Sequence, residues 1–589
     1  MANPGELEDD DADLVTAIPP QETATPALPA RVLAATTLAT GALTACGGGG
    51  SDASPAPTPT PIPAEPVSDA QAARFLLHAQ FSATDADIAA VRAQGYSAWL
   101  EQQFNAPMGT SGWDWLTTNG YGTVDANKYY DSSAPGDYMI WQQLMSAPDA
   151  VRKRAALALS EFFVVSLTGI NFTWRGHGMA QYWDILASNA FGNYRKLLED
   201  VTLNAAMGNF LNTRGNKKEN SSGRQPDENY AREVMQLFSI GLNELNLDGT
   251  EKRDAQGNKR ESYTASDVSN LARVFTGYDF DQSQNVDTIV DGSRRIPSTA
   301  FTRLPMSLKE SDHSTLAASF LGTTIPAGTP GAPALRTALD TLFNHPNVGP
   351  FLGRQMIQRL ITSNPSPAYV ARVAAAFNNN GAGVRGDLKA MFRAIFLDDE
   401  ARNASGLSQA LFGKLREPML RLVQWGRTFG LTSTAGTWRI GDLSNPATQL
   451  GQSPLRSPSV FNFFRPGYVP PSSALASGQS VAPEFQLVSE SSVGGYLNYM
   501  QNVIQNGINS DLKPAYTNEL ALVTNATALV NRLNLLLCAG QLSSATLTLI
   551  VNALNATAVS ATSSASVKLN QVAAAVLLVM ASAEYLAQK

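Results

Sequence analysis

Glu161, Asp227, Glu233 and His313 are the side chains whose type and setting could do chemistry in this 589-residue chain. Glu161 stands beside Ser160 as the one charged residue inside the apolar run Ala155 to Leu167. A carboxylate there is expected to be partly buried, and a buried charge needs a partner. Glu233 belongs to a helix expected from Pro226 to Gly241. At about 100° per residue it projects between Leu237 and Ile240, at the edge of the apolar arc. Asp227 faces the same arc from the first turn, where it could instead cap the helix. His313 follows Asp312 in a polar, irregular stretch, where a loop could hold it over a cleft. A lone loop histidine is more often simply solvated.

Paired carboxylates of this kind could bind a hard cation through oxygen or perform general acid–base work. The competing reading is a buried ion-pair network that fixes helix packing, with Arg195, Arg232, Arg416 and Arg456 as cationic partners. The second reading is favoured, because structural networks perturb carboxylates as well. Glu228, Asn229, Arg232, Arg195, Arg416, Arg456 and Asn462 form the expected polar network, structural or ligand-binding. Glu228 and Arg232 face away from the core at i, i+4, in the favourable order.

Other chemistries are poorly supplied. The four histidines, His78, His177, His313 and His345, lie far apart and the cysteines number two. No metal site is therefore expected, and no cofactor is named by any motif. Cys538 lies in the apolar run Leu535 to Cys538 and reads as a buried small hydrophobe. Ser457 and Ser459 offer hydroxyls outside any Gly-x-Ser-x-Gly elbow, which argues against a hydrolase triad. Phe461, Phe463, Phe464 and Tyr468, with Asn462, could line a groove, although such aromatics more often anchor a core.

The elements that must position these residues are mainly helices. Ser68 to Gln71 reads as a capping box before Phe75 and Leu76. Short helices follow at 86–91, stopped by Gly95, and at 98–104. Longer helical regions are expected at 137–168 and 179–211, with Pro226 and the acids Asp227 and Glu228 marking the next start. Asp248-Gly249 and Gln256-Gly257-Asn258 are turn signals, so 245–263 is expected to form a small β-hairpin. Helices resume at 266–276. Residues 279–335 are polar and Gly/Pro-rich and read as a long irregular loop or lid. Further helices fit 335–344, 348–362, 368–378, 385–397, 411–429, 486–506 and the stretches after Asn518. The apolar run 572–580 is too short to span a bilayer. The fold class expected is mainly α: one large multi-helical domain over 67–589, with one or two small hairpins.

Composition and the N-terminus bear on location. Hydrophobic residues make up 44% and charged residues 16%, with a formal net charge of -7. The longest basic run is Arg152-Lys153-Arg154, so no nucleic-acid-binding stripe exists. Residues 1–30 are acidic and Pro-rich, the pattern of a disordered leader. Arg31 is followed by the apolar, small-residue run Val32 to Leu43, the layout of a secretory signal. Leu43-Thr44-Ala45-Cys46 resembles the lipobox of bacterial lipoprotein signal peptides, which makes Cys46 the expected lipidated first residue of the mature chain. Segment 1–45 is then leader and signal. Segment 46–66, rich in Gly, Pro and Thr, is a tether. The acidic leader itself is unlike the short basic n-region such signals carry.

Arg224-Gln225-Pro226-Asp227-Glu228-Asn229-Tyr230-Ala231-Arg232-Glu233, continuing to Gly241, resembles the signature of the family called domain of unknown function 1800. Similar stretches are Tyr263-Thr264 with Asp267-Val268, Arg273 to Tyr278, Phe412 to Pro418, Leu455 to Asn462, and Glu584-Tyr585-Leu586. The resemblance implies an exported bacterial protein, often encoded beside a second secreted family of unknown function, and hence a protein partner. It carries no catalytic residues. The expectation is an exported, lipid-anchored envelope module that binds a partner protein or an extracellular polymer. The alternative is a secreted enzyme, possibly hydrolytic, using Glu161, Asp227, Glu233 and His313 around a helical cleft.

Overall fold

Helix starts are set where the sequence supplies a side-chain acceptor for free backbone N–H groups. Ser68 accepts from Gln71 N at 3.3 Å to open helix Asp69–Ala79. Thr84 with Asp87, and Thr264 with Asp267, close reciprocal boxes on helices Asp85–Gln94 and Ala265–Val274. Gly95, at φ 80°, ends the first of these and begins helix Tyr96–Asn105. The computed structural model describes residues 65–66, 68–557 and 559–589. The leader, the signal segment, Cys46 and nearly all of the tether lie outside the described residues.

Among the described residues there are twenty-five α-helices and five two-stranded antiparallel sheets, so the body is mainly α. Helices Ala134–Ser146, Ala150–Ser160 and Arg175–Asn189 pack on one another at its centre. Every residue of Ala150–Ser160 except Arg152 is buried. Helices Val348–Leu360, Pro367–Asn378 and Leu388–Leu397 form a second packed set, and Val348–Leu360 also touches Ala150–Ser160. At the C-terminal end, Ala565–Met580 packs against Glu490–Asn506, Ala526–Cys538 and Ser544–Asn555. Ala587–Gln588 then pairs with Lys414–Leu415, which ties the end of the chain to its middle. No helix among the described residues is long and apolar enough to cross a membrane.

Several local expectations change. The expected helical stretch 137–168 is two helices parted by Ala147, which is extended (φ -61°, ψ 135°) because it precedes Pro148, and it stops at Glu161. The helix expected from Pro226 to Gly241 spans only Asn229–Gln236. At its start, Asp227 N donates to Asn216 Oδ1 at 2.9 Å and Asp227 Oδ1 accepts from Asn229 N at 2.8 Å, so the chain turns there. At its end, Leu237 N and Phe238 N share the Glu233 carbonyl, and the ladder is spent. The stretch 411–429 is strand Lys414–Leu415 followed by helix Pro418–Thr428, which starts at its proline. The 245–263 hairpin is a pair of tight turns at Gly249 and Gly257, held by isolated bridges rather than continuous strands.

The stretch 279–335 stays largely irregular, but short strands organise it. It contains hairpins Thr288–Val290 with Arg294–Ile296 and Ala318–Phe320 with Thr323–Ile325, while Tyr278–Asp279 pairs with Ser307–Leu308. Ile296, Phe301, Met306, Phe320 and Ile325 are buried and pin these short strands to the helices. Strands of two or three residues are too short to show an alternating pattern.

Candidate functional site

Helix Ala150–Ser160 ends at Glu161, whose N–H donates to Leu157 O at 3.1 Å. Arg154 precedes Glu161 by seven residues, close to two full turns, so both lie on one face. Across from them, helix Val348–Leu360 supplies Arg359. Arg154 Nη2 donates to Arg359 O at 2.8 Å, and Arg359 Nη2 donates to Glu161 O at 2.8 Å. Arg359 Nε stands 3.7 Å from Glu161 Oε2, a Coulombic contact without a hydrogen bond.

Lys414 extends this cage. Its Nζ donates to Arg359 O at 2.8 Å and lies 2.9 Å from Glu484 and 3.5 Å from Glu417. Gln452 donates to the other Glu417 oxygen at 2.7 Å. Three carboxylates, Glu161, Glu417 and Glu484, thus face three cations, Arg154, Arg359 and Lys414, and none of the six is more than 5% exposed. Removing six charges from water is affordable only because the signs alternate.

Glu161 is the least satisfied member. Neither carboxylate oxygen has a hydrogen-bond partner in the protein, and both are buried. They border a cavity of about 10 Å³ shared with Ser453, Leu455, Asn462 and Phe463. Ser453 Oγ and Asn462 Nδ2 are buried there without protein partners too. Leu455 and Asn462 carry left-handed backbone, φ 58° and 62°, a strain that asparagine bears more easily than leucine. Burial, reinforced by Glu417, pushes the Glu161 carboxyl well above its usual range against the pull of Arg359, Lys414 and Arg154. The site can hold a proton on Glu161. Its volume admits about one water molecule.

The remaining sequence candidates go elsewhere. Arg456 grips Asp137, at 2.8 and 2.6 Å, and reaches Ser133 at 2.9 Å. Arg416 bonds Gln424 and lies over the Tyr585 ring, 4.6 Å from its centroid. Arg195 pairs with Asp340 and Glu199 at 2.6 and 2.7 Å on a helix flank. None of these three, nor Arg232, is the direct partner of Glu161, because helix packing delivers Arg359 and Arg154 to it first. Arg232 meets Glu228 at 3.1 Å, both about half exposed, and Asn229 contributes its backbone N–H to Asp227. These surface groups are separate from the cage.

Glu233 is 8% exposed, and burial raises its carboxyl against the pull of Arg232. His313 is 3% exposed, with Nδ1 3.0 Å from Thr276 O, so it is neither solvated nor over a cleft. Thr276, just past helix Ala265–Val274, and Gly331, which opens helix Gly331–Asn344, lie against its ring. Glu161 lines the small cavity, whereas Asp227, Glu233 and His313 line none of the described cavities. The four side chains do not share a pocket. Phe463 and Asn462 line the Glu161 cavity and Phe464 is buried, while Phe461 is 37% exposed. Ser457 donates to Asn462 Oδ1 at 3.1 Å. Cys538 is buried, and its thiol is pushed up to about 12 by burial.

An open cleft of about 270 Å³ lies elsewhere, and none of its residues was singled out from the sequence. Phe172, Phe280 and Phe301 form its floor, with ring centroids 5.0 to 5.9 Å apart. Asn171, Gln282, Asn285 and Arg214 stand around them. The Arg214 guanidinium lies 3.9 Å from the Phe280 centroid and bonds Asp279 at 3.0 Å. Gly215 N donates to Tyr278 O, and Gly277 N to Asn216 O, each at 2.8 Å, locking the Arg214 and Phe280 segments together. Asn216 in turn holds Asp227 through both its amide groups. The signal available in sequence was Asn171-Phe172-Thr173, an aromatic between small polar residues, too common to stand out.

Asp227 of the 224–241 stretch therefore bonds Asn216, two residues from Arg214 in the cleft, and Leu455, Ser457 and Asn462 line the Glu161 cavity. The family model described as "Protein of unknown function (DUF1800)" matches residues 74–587. The chain belongs to that family. No curated protein and no solved structure matches it. In DUF1800 terms the matched region takes in both the charged cage and the aromatic cleft, while Cys46 precedes it.

Proposed function

We propose that this chain is an exported envelope lipoprotein, anchored through Cys46, whose helical body is a binding module for a partner protein or an extracellular polymer. One contrast carries the binding reading. The carboxylate best prepared for acid–base work, Glu161, borders a cavity of about 10 Å³, whereas one of the open clefts, of about 270 Å³, is lined by aromatic rings, amides and a guanidinium. Glu161 is thus set apart from ligand access, while a wider cleft of about 490 Å³ holds Asp340 and His345 in its lining. Pockets that bind combine an apolar floor with a few placed polar groups, which describes the aromatic cleft.

The anchor reading rests on the Leu43-to-Cys46 pattern alone. Its test is membrane fractionation of cells making the wild type and Cys46→Ala. The wild type should sediment with membranes and the variant should move to the soluble exported fraction. Unchanged fractionation would sink the anchor. Crosslinking of the anchored chain, followed by identification of what it carries, tests the binding reading; turnover of a hydrolysable substrate abolished by Glu161→Gln would replace it with the enzyme alternative.

A further inference from the structure

A groove of about 240 Å³ opens where the chain leaves the 224–241 stretch, against helix Val348–Leu360 and the Pro466–Gly467 corner. Its apolar wall is within reach of a ligand. Leu242 is 57% exposed, and Leu245, Phe351 and Pro466 are only half-buried. Gly241 and Gly249 hold left-handed backbone, φ 71° and 77°. A Cβ on them would meet Phe351 at 2.7 Å and Val370 at 2.9 Å, so the backbone lies directly on two helices and the wall is set before a ligand arrives. The volume falls below the roughly 300–1,000 Å³ of clefts that enclose drug-sized molecules, so the groove seats one side chain rather than a whole ligand.

The polar groups of the lining divide into those already engaged and one that is not. Asn243 Nδ2 donates to Glu251, Gln355 Oε1 accepts from Arg359, and Gln358 Nε2 donates to Ser363 O, each at 3.0 Å. Each lining amide thus has one end spent inside the protein. Glu251 is neutralised by Lys259 at 2.8 Å. Arg354 is exposed and, among the described residues, has neither a hydrogen-bond partner nor a carboxylate partner. Arg465, next to Pro466, has no carboxylate partner among them either, and its guanidinium lies 4.9 Å from the centroid of the exposed Phe461 ring. An accessible apolar wall with an unpaired guanidinium in its lining is complementary to an apolar group that has a carboxylate beside it.

We infer that this groove docks an acidic segment of a partner protein, with one large apolar side chain against Leu242, Leu245 and Phe351 and a neighbouring carboxylate on Arg354. The inference rests on the binding-module reading and names the partner's chemistry. An apolar anchor seated in a pocket with a charge beside it is the pattern that carries most binding energy at protein interfaces. A glycan would leave the apolar wall in water and would meet amides already engaged at one end.

The test is to titrate the full purified chain into three short labelled peptides: a leucine among glutamates, the same leucine among lysines, and a serine among glutamates. Palmitate and an acidic oligosaccharide are run beside them. The first peptide should bind best, and more weakly as salt rises. Arg354→Glu should weaken it by about fivefold or more and shift preference toward the lysine peptide, which a merely structural role would not do. Leu242→Ser should weaken it by about fivefold. Both side chains are exposed, so these variants fold normally. A lysine or serine peptide that binds as well as the first would overturn the inference. So would binding untouched by either substitution, or a palmitate or oligosaccharide signal that Arg354→Glu abolishes. Silence on all three peptides would overturn it too. In that case, a partner still recovered by crosslinking leaves the binding module standing, and loss of both removes the two readings together.

Discussion

Glu161 and Glu228 each face an arginine, yet the two contacts belong to different physical regimes. The shorter is Glu228 with Arg232 at 3.1 Å, in water on a helix surface, 41% and 45% exposed. The longer is Glu161 with Arg359 at 3.7 Å, with both side chains buried. Distance would rank the surface pair first. Burial reverses the order, because charges out of water interact through a far lower effective dielectric and have no solvent to fall back on. The surface pair is a local accessory of one helix. The buried pair joins two helices and commits four further charged groups to the same cage.

The sharpest way to break this comparison is to delete one cage partner. Arg359→Ala should cost about 3–5 kcal/mol in urea denaturation, the usual price of stranding a buried charge. Glu161→Gln removes the charge but keeps the shape and should cost markedly less, since burial penalises the charged form of this carboxyl. A loss under about 1 kcal/mol for Arg359→Ala would mean that water reaches the cage, and the distinction drawn above would fail.

Asp184 sharpens the comparison from a third setting, a buried carboxylate held by backbone. It accepts from Gly112 N at 2.7 Å and Trp113 N at 2.9 Å, yet burial outweighs these bonds and lifts its carboxyl to about 6. A raised acid binds its proton more tightly folded than unfolded. Its contribution is therefore fully present below about pH 4, its unfolded value, and is lost as pH rises through about 6. The stability of wild type relative to Asp184→Asn should fall by about 2–3 kcal/mol across that window. Urea midpoints at several pH values would show it, and a pH-independent difference would contradict it.

The smallest effect belongs to the surface. Arg232→Ala should cost only about 0.3–0.5 kcal/mol, and less at high salt. A cost comparable to that of Arg359→Ala would erase the contrast.

Much of this was legible before any fold was known. The burial of Glu161 follows from the apolar run around it, that of Cys538 from its neighbours, and the Glu228–Arg232 pair from spacing alone. The partners of Glu161 were not legible. Arg359 lies 198 residues away in sequence, and nothing local distinguishes it from Arg195, Arg416 or Arg456. Lys153 and Arg154, part of the longest basic run, are among the most buried cations in the body, which nothing in that run foretells. His313 was misplaced for the same reason, since Thr276, which holds its ring, lies 37 residues away in sequence.

By itself, the amino-acid sequence determined the helical class, the caps of Ser68, Thr84 and Thr264, the turn at Gly95 and the family membership. Each depends on residues within a few positions of one another, or on whole motifs. Which charges share the cage, and which aromatics floor the cleft, was decided only by tertiary structure. Those choices are made when helices and hairpins far apart in the chain pack together, and side-chain reach extends only a few ångströms beyond the backbone that packing puts in place.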